Sequence, residues 1–245
     1  MKGFLRAISF LTILPIGHTP LLEERELARS MVFFPLVGMV IGLLLALGHY
    51  LFSFFLPRAL VLWSVIGLLA FLTRGLHLDG FADTMDGLAS GGTKEKILEV
   101  MRDSRIGAFG VISLILLMGA KYLALDQISI PSIPYALILM AVMGRNAMVL
   151  VCYRSAYARF SEGLGKPFTE NLGVREVTFS SLSAFGIALL TMGIKGILVF
   201  LGICLFSLVY RFFFIKKLGG VTGDILGAAN ELTELLCLIL LVIQF

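Results

Sequence analysis

Long apolar segments separated by short polar stretches constrain the fold of this 245-residue chain more than any other feature. A helix needs about 20 apolar residues to cross the hydrocarbon core of a bilayer. Six or seven segments approach that length. They lie at about residues 31–56, 59–76, 109–125, 133–153, 177–192, 196–214 and 232–245, the last being marginal. A shorter stretch at residues 4–14 predicts an interfacial helix. The sequence therefore predicts an all-α, polytopic transmembrane helical bundle with six to seven spans plus this N-terminal interfacial helix.

The composition favours a membrane protein over a soluble one. Hydrophobic residues make up 58% of the chain and charged residues only 15%, whereas a soluble domain carries about 25% charged residues. The net charge of +4 does not indicate nucleic-acid binding, because the basic residues lie between apolar segments, where they set topology. The three cysteines lie inside apolar segments, so no disulfide framework is expected. No internal repeat is visible, and residues 1–245 are interpreted as a single membrane domain in contact with the lipid bilayer.

The distribution of Lys and Arg predicts the orientation of the chain. With the N-terminus in the cytoplasm, sixteen of the twenty Lys and Arg residues fall on the cytoplasmic side and three on the far side. This excess follows the positive-inside rule. The remaining one, Arg145, lies inside the fourth segment, where it is expected to pair with a buried carboxylate, with a phosphate contact as the alternative. Three long polar loops then face the cytoplasm, at about residues 77–108, 154–176 and 215–231.

Three carboxylates stand where the second apolar segment ends. Asp79, Asp83 and Asp86 are spaced i, i+4 and i+7, so a helix over about residues 77–88 would place all three on one face. Acidic side chains are costly near a bilayer and are rarely kept there without a function. Because like charges on one face repel each other, a cation is expected among them, most simply a divalent metal ion.

A second acidic pair follows on the next predicted helix. The run Ser90-Gly91-Gly92 ends the first helix, Thr93 can cap the next one, and Glu99 and Asp103 are again spaced i and i+4. Two antiparallel helix ends would bring these carboxylates towards the first three. Oxygen ligands in that number suit magnesium, manganese or calcium rather than zinc or copper. The predicted metal ligands are Asp79, Asp83, Asp86, Glu99 and Asp103.

This arrangement is typical of phosphoryl transfer. A divalent metal ion neutralises phosphate oxygens, and a free carboxylate can accept the proton of an attacking hydroxyl. Asp79 and Asp103 are therefore predicted as catalytic residues, with Asp103 as the candidate base. Arg102 and Arg105 flank Asp103 and are predicted to bind phosphate. His77, beside the acidic stripe, is expected to be a hydrogen-bonding neighbour rather than a metal ligand or base.

A glycine-rich stretch near the C-terminus allows two interpretations. Residues 219–227 contain four glycines beside Lys216 and Lys217, and backbone amides in such a turn can bind phosphate. The same small residues could equally form a helix–helix junction. Acidic side chains at a membrane edge favour a functional role, so Asp224 and Glu231 are predicted to bind substrate.

Three ordered motifs give the chain a resemblance to a known family. They are His77-Leu78-Asp79-Gly80-Phe81-Ala82-Asp83-Thr84-Met85-Asp86-Gly87, Met101-Arg102-Asp103-Ser104-Arg105-Ile106-Gly107 and Gly219-Gly220-Val221-Thr222-Gly223-Asp224-Ile225-Leu226-Gly227-Ala228-Ala229-Asn230-Glu231. Phe34-Pro35-Leu36-Val37-Gly38 and the stretch from Arg154 to Gly165, with Tyr157-Ala158-Arg159, agree as well. Over nearly its whole length the chain resembles the adenosylcobinamide-GDP ribazoletransferase family, also called cobalamin-5′-phosphate synthases.

The resemblance implies a reaction, a cofactor and a location. It implies a magnesium-dependent enzyme of the cell inner membrane, with its site on the cytoplasmic side. Such an enzyme joins adenosylcobinamide-GDP to α-ribazole or its 5′-phosphate and releases GMP. A ribose hydroxyl would attack the phosphorus that carries the aminopropanol arm. The reaction is a late step of cobalamin biosynthesis. A homo-oligomer, or association with other cobalamin-assembly enzymes, is a further expectation.

Two other classes of protein share parts of this pattern. The run Asp83-x-x-Asp86-Gly87 matches the first half of the CDP-alcohol phosphotransferase motif of phospholipid synthesis. That motif continues with Ala-Arg, whereas Leu88-Ala89-Ser90 stands here, and the second acidic pair follows too closely. A cation-coupled transporter could use the same aspartates as an ion path. Such a transporter is expected to have charges near the midplane and two related halves, whereas these charges gather at one face.

Overall fold

The computed structural model describes residues 2–14, 24–159, 163 and 165–243. Its α-helices, in chain order, are α1 (Lys2–Leu11), α2 (Glu24–Ser30), α3 (Phe34–Phe52), α4 (Arg58–Leu72), α5 (Leu76–Ala89), α6 (Lys94–Val100), α7 (Ala108–Asp126), α8 (Ile133–Cys152), α9 (Lys166–Asn171), α10 (Val174–Leu218) and α11 (Gly223–Val242). Short 3-10 turns at Met31–Phe33 and Ile130–Ser132 lead into α3 and α8. The described residues contain no β-strand, apart from an isolated bridge between Tyr157 and Val221. The predicted all-α class is confirmed.

The predicted membrane segments correspond to long apolar helices. Five stretches of the described chain are long and apolar enough to cross a membrane: Glu24–Phe52, Ala108–Asp126, Ile130–Cys152, Val174–Leu218 and Gly223–Val242. The second predicted segment forms α4, which together with α5, across a bend of 91°, makes a sixth candidate. A polytopic helical bundle is thereby confirmed, and the short helix predicted over residues 4–14 is α1. Residues 244 and 245 of the last predicted segment lie outside the described residues.

The longest helix, α10, folds back on itself at Gly193. The backbone of Gly193 is non-helical, with φ of 57° and ψ of −135°, and glycine adopts such positive φ values without a Cβ clash. Phe185 and Phe200 lie in the two arms, and their ring centroids are 5.6 Å apart. In a straight helix the same two residues would be separated by about 22 Å. The arms are therefore antiparallel, and they account for the fifth and sixth predicted segments.

Helix α8 lies at the centre of the bundle and carries a buried cation. It packs against α3, α10 and α11, and Arg145 near its middle is fully buried. Arg145 donates to the Glu234 carboxylate of α11, while Lys121 of α7 lies 2.6 Å from both Glu231 and Glu234. We call these four side chains the buried charge cluster. Its two cations face two carboxylates, and the expected pairing of Arg145 with a buried carboxylate is confirmed.

The start of α11 differs from the prediction. The polar loop expected over residues 215–231 is wrong, because α10 continues to Leu218 and α11 begins at Gly223. Thr222 caps α11 by accepting a hydrogen bond from the Ile225 amide at 3.3 Å. Glycines and charges made these turns resemble a loop. In the folded chain α11 accommodates Asp224 and Glu231, since Arg159 and Lys121 pair with them, while Lys216 and Lys217 are exposed at the end of α10.

Small residues let α5 pack closely against α11. A Cβ at Gly80 would lie only 2.9 Å from Asp224 Cα, and one at Gly227 would lie 3.3 Å from His77 Cα. Larger side chains at these positions would force the two helices apart. The helix–helix junction interpretation of this glycine-rich stretch is confirmed for its helical part, and the junction brings α11 against the acidic helix α5.

Candidate active site

A sharp bend after α4 sets the direction of the acidic helix α5. Arg74 and Gly75 both have positive φ, 53° and 66°, and the axes of α4 and α5 differ by 91°. A positive φ is uncommon for arginine, and such strain concentrates at functional sites. Asp79, Asp83 and Asp86 all lie on α5, so the predicted helix and the shared phase of its carboxylates are confirmed.

Asp86 holds the beginning of α7. Its two carboxylate oxygens accept hydrogen bonds from the backbone amides of Gly107 at 2.7 Å and Gly110 at 2.8 Å. A negative charge at a helix N-terminus also interacts favourably with the helix dipole. A Cβ at either glycine would overlap this carboxylate, so the contact requires glycine at both positions. Asp86 therefore fixes α5 against α7.

Asp224 and Arg159 form the wall opposite α5. The Asp224 carboxylate accepts hydrogen bonds from Arg159 Nη2 at 2.6 Å and from Thr222 Oγ1 at 3.2 Å. The loop that carries Arg159 is pinned in place, because the Ala158 amide donates to the Val221 carbonyl at 3.0 Å. Asp224, predicted to bind substrate, is thus placed beside the acidic stripe with a cation as its partner.

Negative charge exceeds positive charge in this region. Asp83 is half-buried and interacts electrostatically with Asp79, Asp86 and Asp224, and with one cation, Arg159. Arg159 is already paired with Asp224. Among the described residues, Asp79 and Asp83 form no ion pair. We call these four aspartates and Arg159 the acidic site, and their charge is compatible with a bound cation.

Two cavities meet at the acidic site. The inner cavity has a volume of about 210 Å³, and the outer cavity, which is more open, has a volume of about 700 Å³. The residues shared by both walls are Phe10, Leu76 and Asp79. Arg159 and Asp224 line the inner cavity, and Arg74 lines the outer one. Asp79 is therefore accessible from both the inner and the outer cavity.

The second predicted acidic pair does not share a helix. Because α6 ends at Val100, Glu99 lies in its last turn and Asp103 lies in the following loop. The prediction that Glu99 and Asp103 form an i, i+4 pair on one helix is wrong. Asp103 instead lies in a turn, where its carboxylate accepts a hydrogen bond from the Arg105 amide at 3.1 Å. Glu99 is exposed and lies 3.1 Å from Lys96. The assignment of Glu99 and Asp103 as metal ligands stays a prediction.

Asp103 and Arg105 form an exposed ion pair, with Arg105 Nη2 at 2.7 Å from Asp103 Oδ2. Hydrogen bonds from the Arg105 side chain and backbone lower the pKa of the Asp103 carboxyl to about 2. A carboxylate with such a low pKa is a weak proton acceptor, so a role as base would require release of Arg105. Arg102 is also exposed. The roles predicted for these three residues stay predictions.

Glu231 lies in the buried charge cluster rather than at the cavities. Lys121 Nζ is 2.6 Å from its Oε2 atom, and Glu231 lines neither the inner nor the outer cavity. In the folded chain its carboxylate neutralises Lys121. Its predicted contact with substrate stays a prediction.

The donor groups of the acidic site suit magnesium. No cluster of three or more His, Cys, Asp or Glu side chains in the described part of the chain is already arranged as metal ligands. Magnesium does not need one, because it keeps several waters and usually binds one or two carboxylates together with substrate phosphates. Asp79 and Asp83 lie on successive turns of α5 and form no ion pair with any described residue, so they match that requirement.

The fold and this site define a multi-pass helical membrane protein with a carboxylate-rich site between α5 and α11. The sequence model of the family described as cobalamin-5-phosphate synthase matches residues 3–242. The chain therefore belongs to the cobalamin-5-phosphate synthase family, and it is a transferase of cobalamin biosynthesis.

Relatives match over almost their full length. The chain is 41% identical over 245 residues to the adenosylcobinamide-GDP ribazoletransferase of Syntrophobacter fumaroxidans, covering 95% of this chain and 94% of the relative. It is 40% identical over 242 residues to that of Geotalea daltonii, covering 99% and 97%. For Acetivibrio thermocellus the identity is 38% over 240 residues, covering 98% and 97%. No solved structure matches the chain.

Arg159 is the member of the acidic site that the sequence did not assign. It stands in Tyr157-Ala158-Arg159, a stretch that supports the family resemblance. A basic residue within such a stretch could have indicated that Arg159 belongs to the site. Its pairing with Asp224, however, spans 65 residues, and spacing alone does not predict so distant a contact.

Proposed function

We propose that the acidic site transfers the adenosylcobinamide phosphoryl group from adenosylcobinamide-GDP to α-ribazole or its 5′-phosphate. GMP is released, and adenosylcobalamin or its 5′-phosphate is formed. The main support is the position of Asp79 between two cavities, because transfer between two large substrates requires both to reach one point. The names of the relatives support the same reaction over the phospholipid and transporter alternatives.

Magnesium would be held by Asp79 and Asp83, with substrate phosphate oxygens among its other ligands. When bound, the ion neutralises charge on the phosphates and on the departing GMP. Asp86 keeps α5 in register with α7 through its two backbone hydrogen bonds. Arg159 holds Asp224 at the inner cavity. These contacts position the carboxylates before substrate arrives, which is the main protein contribution in phosphoryl transfer.

The transfer forms one bond, breaks one bond and moves one proton. A ribose hydroxyl bonds to the phosphorus that carries the aminopropanol arm, and the bond from that phosphorus to the GMP oxygen breaks. The hydroxyl proton passes to a carboxylate at the cavity wall, either Asp79 or Asp224. Arg74 lines the outer cavity and supplies a cation for the diphosphate. The outer cavity, which is larger and more open than the inner one, is assigned to the diphosphate arm of the corrinoid substrate.

The location of the protein is part of this proposal. The excess of Lys and Arg on one side supports a cell inner membrane protein whose N-terminus and active site face the cytoplasm. Nucleotide-activated substrates are found there. Self-association, or association with other cobalamin-assembly enzymes, stays a prediction.

GMP release by the purified protein in proteoliposomes tests the proposed function. With adenosylcobinamide-GDP, α-ribazole and Mg²⁺, the wild type is expected to release one GMP per product formed. Asp79→Asn should lower that rate by about 1,000-fold, because one ligand of the ion is weakened. Glu95→Gln, at an exposed carboxylate on α6, is the matched control and should keep the wild-type rate.

Two outcomes would contradict this function. Release of CMP from a CDP-activated lipid without GMP release would identify a phospholipid-synthesising enzyme. Metal-dependent uptake of solute into liposomes without release of any nucleotide would identify a transporter.

A further inference from the structure

We infer that the turn after α8 and the adjoining end of α10 bind the headgroup phosphate of an anionic phospholipid. The residues involved are Arg154, Arg211, Lys216 and Lys217, which we call the basic site. None of them lines the inner or the outer cavity, so the inference is independent of the proposed function. Three observations carry it: two arginines held at one turn without a carboxylate partner, a strained backbone at one of them, and an apolar stripe that ends in the two lysines.

Two arginines meet at the turn formed by residues 153–155. Arg211 lies on the arm of α10 that ends at Leu218. Its Nη2 atom donates to the Arg154 carbonyl at 2.8 Å, and its Nε atom donates to Ser155 Oγ at 3.1 Å. Ser155 is itself fixed, because its hydroxyl donates to the Val151 carbonyl at 2.7 Å. The turn therefore holds the Arg211 guanidinium beside the backbone of a second arginine.

The protein does not neutralise these two cations. Neither Arg154 nor Arg211 forms an ion pair with any carboxylate of the described residues. A guanidinium has five N–H donors, and the two hydrogen bonds of Arg211 to the turn use only two of them. Positive charges held close together repel each other. A bound anion would relieve that repulsion and accept hydrogen bonds from the other donors.

The backbone of Arg154 is strained, and its side chain is exposed. Its φ is 55°, and among the described residues other than glycine only Arg74, beside the acidic site, also has a positive φ. Such a φ is uncommon for arginine, and backbone strain concentrates at ligand-binding sites. The Arg154 side chain is exposed, with its guanidinium carbon 5.4 Å from the centroid of the Tyr153 ring. This cation–π contact restricts the position of the guanidinium while leaving it accessible.

An apolar stripe on α10 leads to the basic site. Leu208 and Phe212 are 60% and 68% exposed, and Lys216 follows one turn later on the same face. Apolar side chains with such exposure on a membrane helix contact lipid tails. Lys216 and Lys217 are exposed. Since Arg211 directly precedes Phe212, the charges of the basic site lie where the lipid-facing stripe ends.

This combination selects an anionic phospholipid. Guanidinium groups match phosphate oxygens in a bidentate geometry, and basic pockets between membrane helices bind anionic lipid headgroups. Free phosphate would satisfy the charge but would make no use of the apolar stripe. A zwitterionic headgroup carries an ammonium group of its own, which the four cations would repel. A lipid with net negative charge places its phosphate at the arginines and its acyl chains along Leu208 and Phe212.

Titration of phosphatidylglycerol into the delipidated protein in detergent, followed by native mass spectrometry, tests the site. The wild type should bind phosphatidylglycerol at least ten-fold more tightly than phosphatidylcholine. Arg154→Asn combined with Arg211→Gln should raise the Kd for phosphatidylglycerol by about 25-fold, because each basic residue at such a site contributes about five-fold. The Kd for phosphatidylcholine should stay unchanged. Asparagine is chosen at position 154 because it tolerates a positive φ.

Matched variants separate lipid binding from loss of folding. Arg211→Lys keeps the charge and should bind phosphatidylglycerol more tightly than Arg211→Gln does. Arg25→Gln removes an exposed arginine from α2, which packs against α1 and α9, and should leave the Kd within about two-fold of the wild type. Lys216→Gln combined with Lys217→Gln should raise the Kd by at least five-fold. This lysine pair decides the question if the arginine double variant aggregates on size-exclusion chromatography.

Three results would overturn the inference. The first is a folded arginine double variant with wild-type affinity for phosphatidylglycerol. The second is equal affinity of the wild type for phosphatidylglycerol and phosphatidylcholine. The third is displacement of phosphatidylglycerol by inorganic phosphate at matched ionic strength, which would identify a site for free anions. Each of them leaves the proposed function standing, whereas a wild type that binds the lipid but releases no GMP would reject the proposed function alone.

Discussion

The acidic site and the buried charge cluster both place several charges inside a largely apolar bundle, yet they are built on opposite principles. In the cluster, Lys121 and Arg145 face Glu231 and Glu234, so two positive charges meet two negative ones. Four aspartates share a single cation, Arg159, in the acidic site. The cluster is fully buried, whereas Asp79 is exposed to two cavities.

We expect this difference to distinguish structural charges from functional ones. A buried charge network that is already neutral needs nothing further, and in a membrane it ties helices α7, α8 and α11 together. A site with excess negative charge is electrostatically incomplete until a cation binds. We therefore expect the same residue type, a carboxylate on a helix, to have a different role in each region, with the role set by its partners.

Glu234→Gln is expected to have the largest effect on stability. It leaves Arg145 and Lys121 buried beside only one carboxylate, which should destabilise the fold by about 3–5 kcal/mol. The yield of folded protein and its midpoint of thermal unfolding in detergent measure this loss. Lys121→Met combined with Glu231→Leu removes one pair from the cluster and should be clearly less harmful. Equal damage from the pair replacement and the single substitution would show that charge balance is not what the cluster provides.

Asp83→Asn also replaces a carboxylate by an amide, but in the acidic site. It should lower activity and leave stability intact, the opposite of Glu234→Gln. Removing one of several repelling carboxylates should leave the unfolding midpoint unchanged or slightly raised. The rate of GMP release should fall by about 100-fold, because one predicted metal ligand is weakened. A large loss of stability with normal activity would reverse the distinction between the two regions.

Gly110→Ala is expected to have an intermediate effect. A Cβ at this position overlaps the Asp86 carboxylate, so α5 and α7 must move apart. We expect a destabilisation of about 1–3 kcal/mol and a rate of GMP release several-fold below the wild type. Gly119→Ala, on the same helix α7 and with open space around it, is the control and should behave like the wild type in both measurements.

Asp103→Asn should have the smallest effect. The pKa of Asp103 is lowered to about 2 by Arg105, so the carboxylate is ionised at every pH above about 4 and contributes no titration near neutrality. In the wild type, any loss of activity between pH 8 and pH 5 must then come from another group. The pH profile of Asp103→Asn should match the wild type, with rates within about two-fold. If Asp103→Asn lost the fall in activity that the wild type shows at acidic pH, Asp103 would again be the candidate base.

Much of the fold could be predicted because hydropathy is a local property. Each predicted apolar segment corresponds mainly to one helix or helix arm, with turn residues at some of its ends, and the short turn between segments five and six is the fold-back at Gly193. The start of α11 could not be predicted from local composition. Its carboxylate Glu231 is accommodated in a helix by Lys121, which lies 110 residues earlier in the chain.

The site was predictable where it depends on one helix, and not where it depends on several. The shared face of Asp79, Asp83 and Asp86 follows from their spacing alone. The partner wall does not, since Arg159 and Asp224 come from other parts of the chain. The interpretation of Glu99 and Asp103 as a helical pair failed because the end of a short helix is decided by local hydrogen bonds, here those of Asp103 with Arg105.

Binding of a divalent cation in the absence of substrates tests most directly whether the excess negative charge of the acidic site is functional. Mn²⁺ can stand in for Mg²⁺, and its electron paramagnetic resonance signal distinguishes free from bound ion. The wild type in detergent should bind Mn²⁺ in competition with Mg²⁺, and the combined change Asp79→Asn and Asp83→Asn should abolish this binding while the chain stays folded. Undiminished Mn²⁺ binding by that double variant, or full GMP release by the wild type in excess EDTA, would contradict a metal-dependent role for the acidic site.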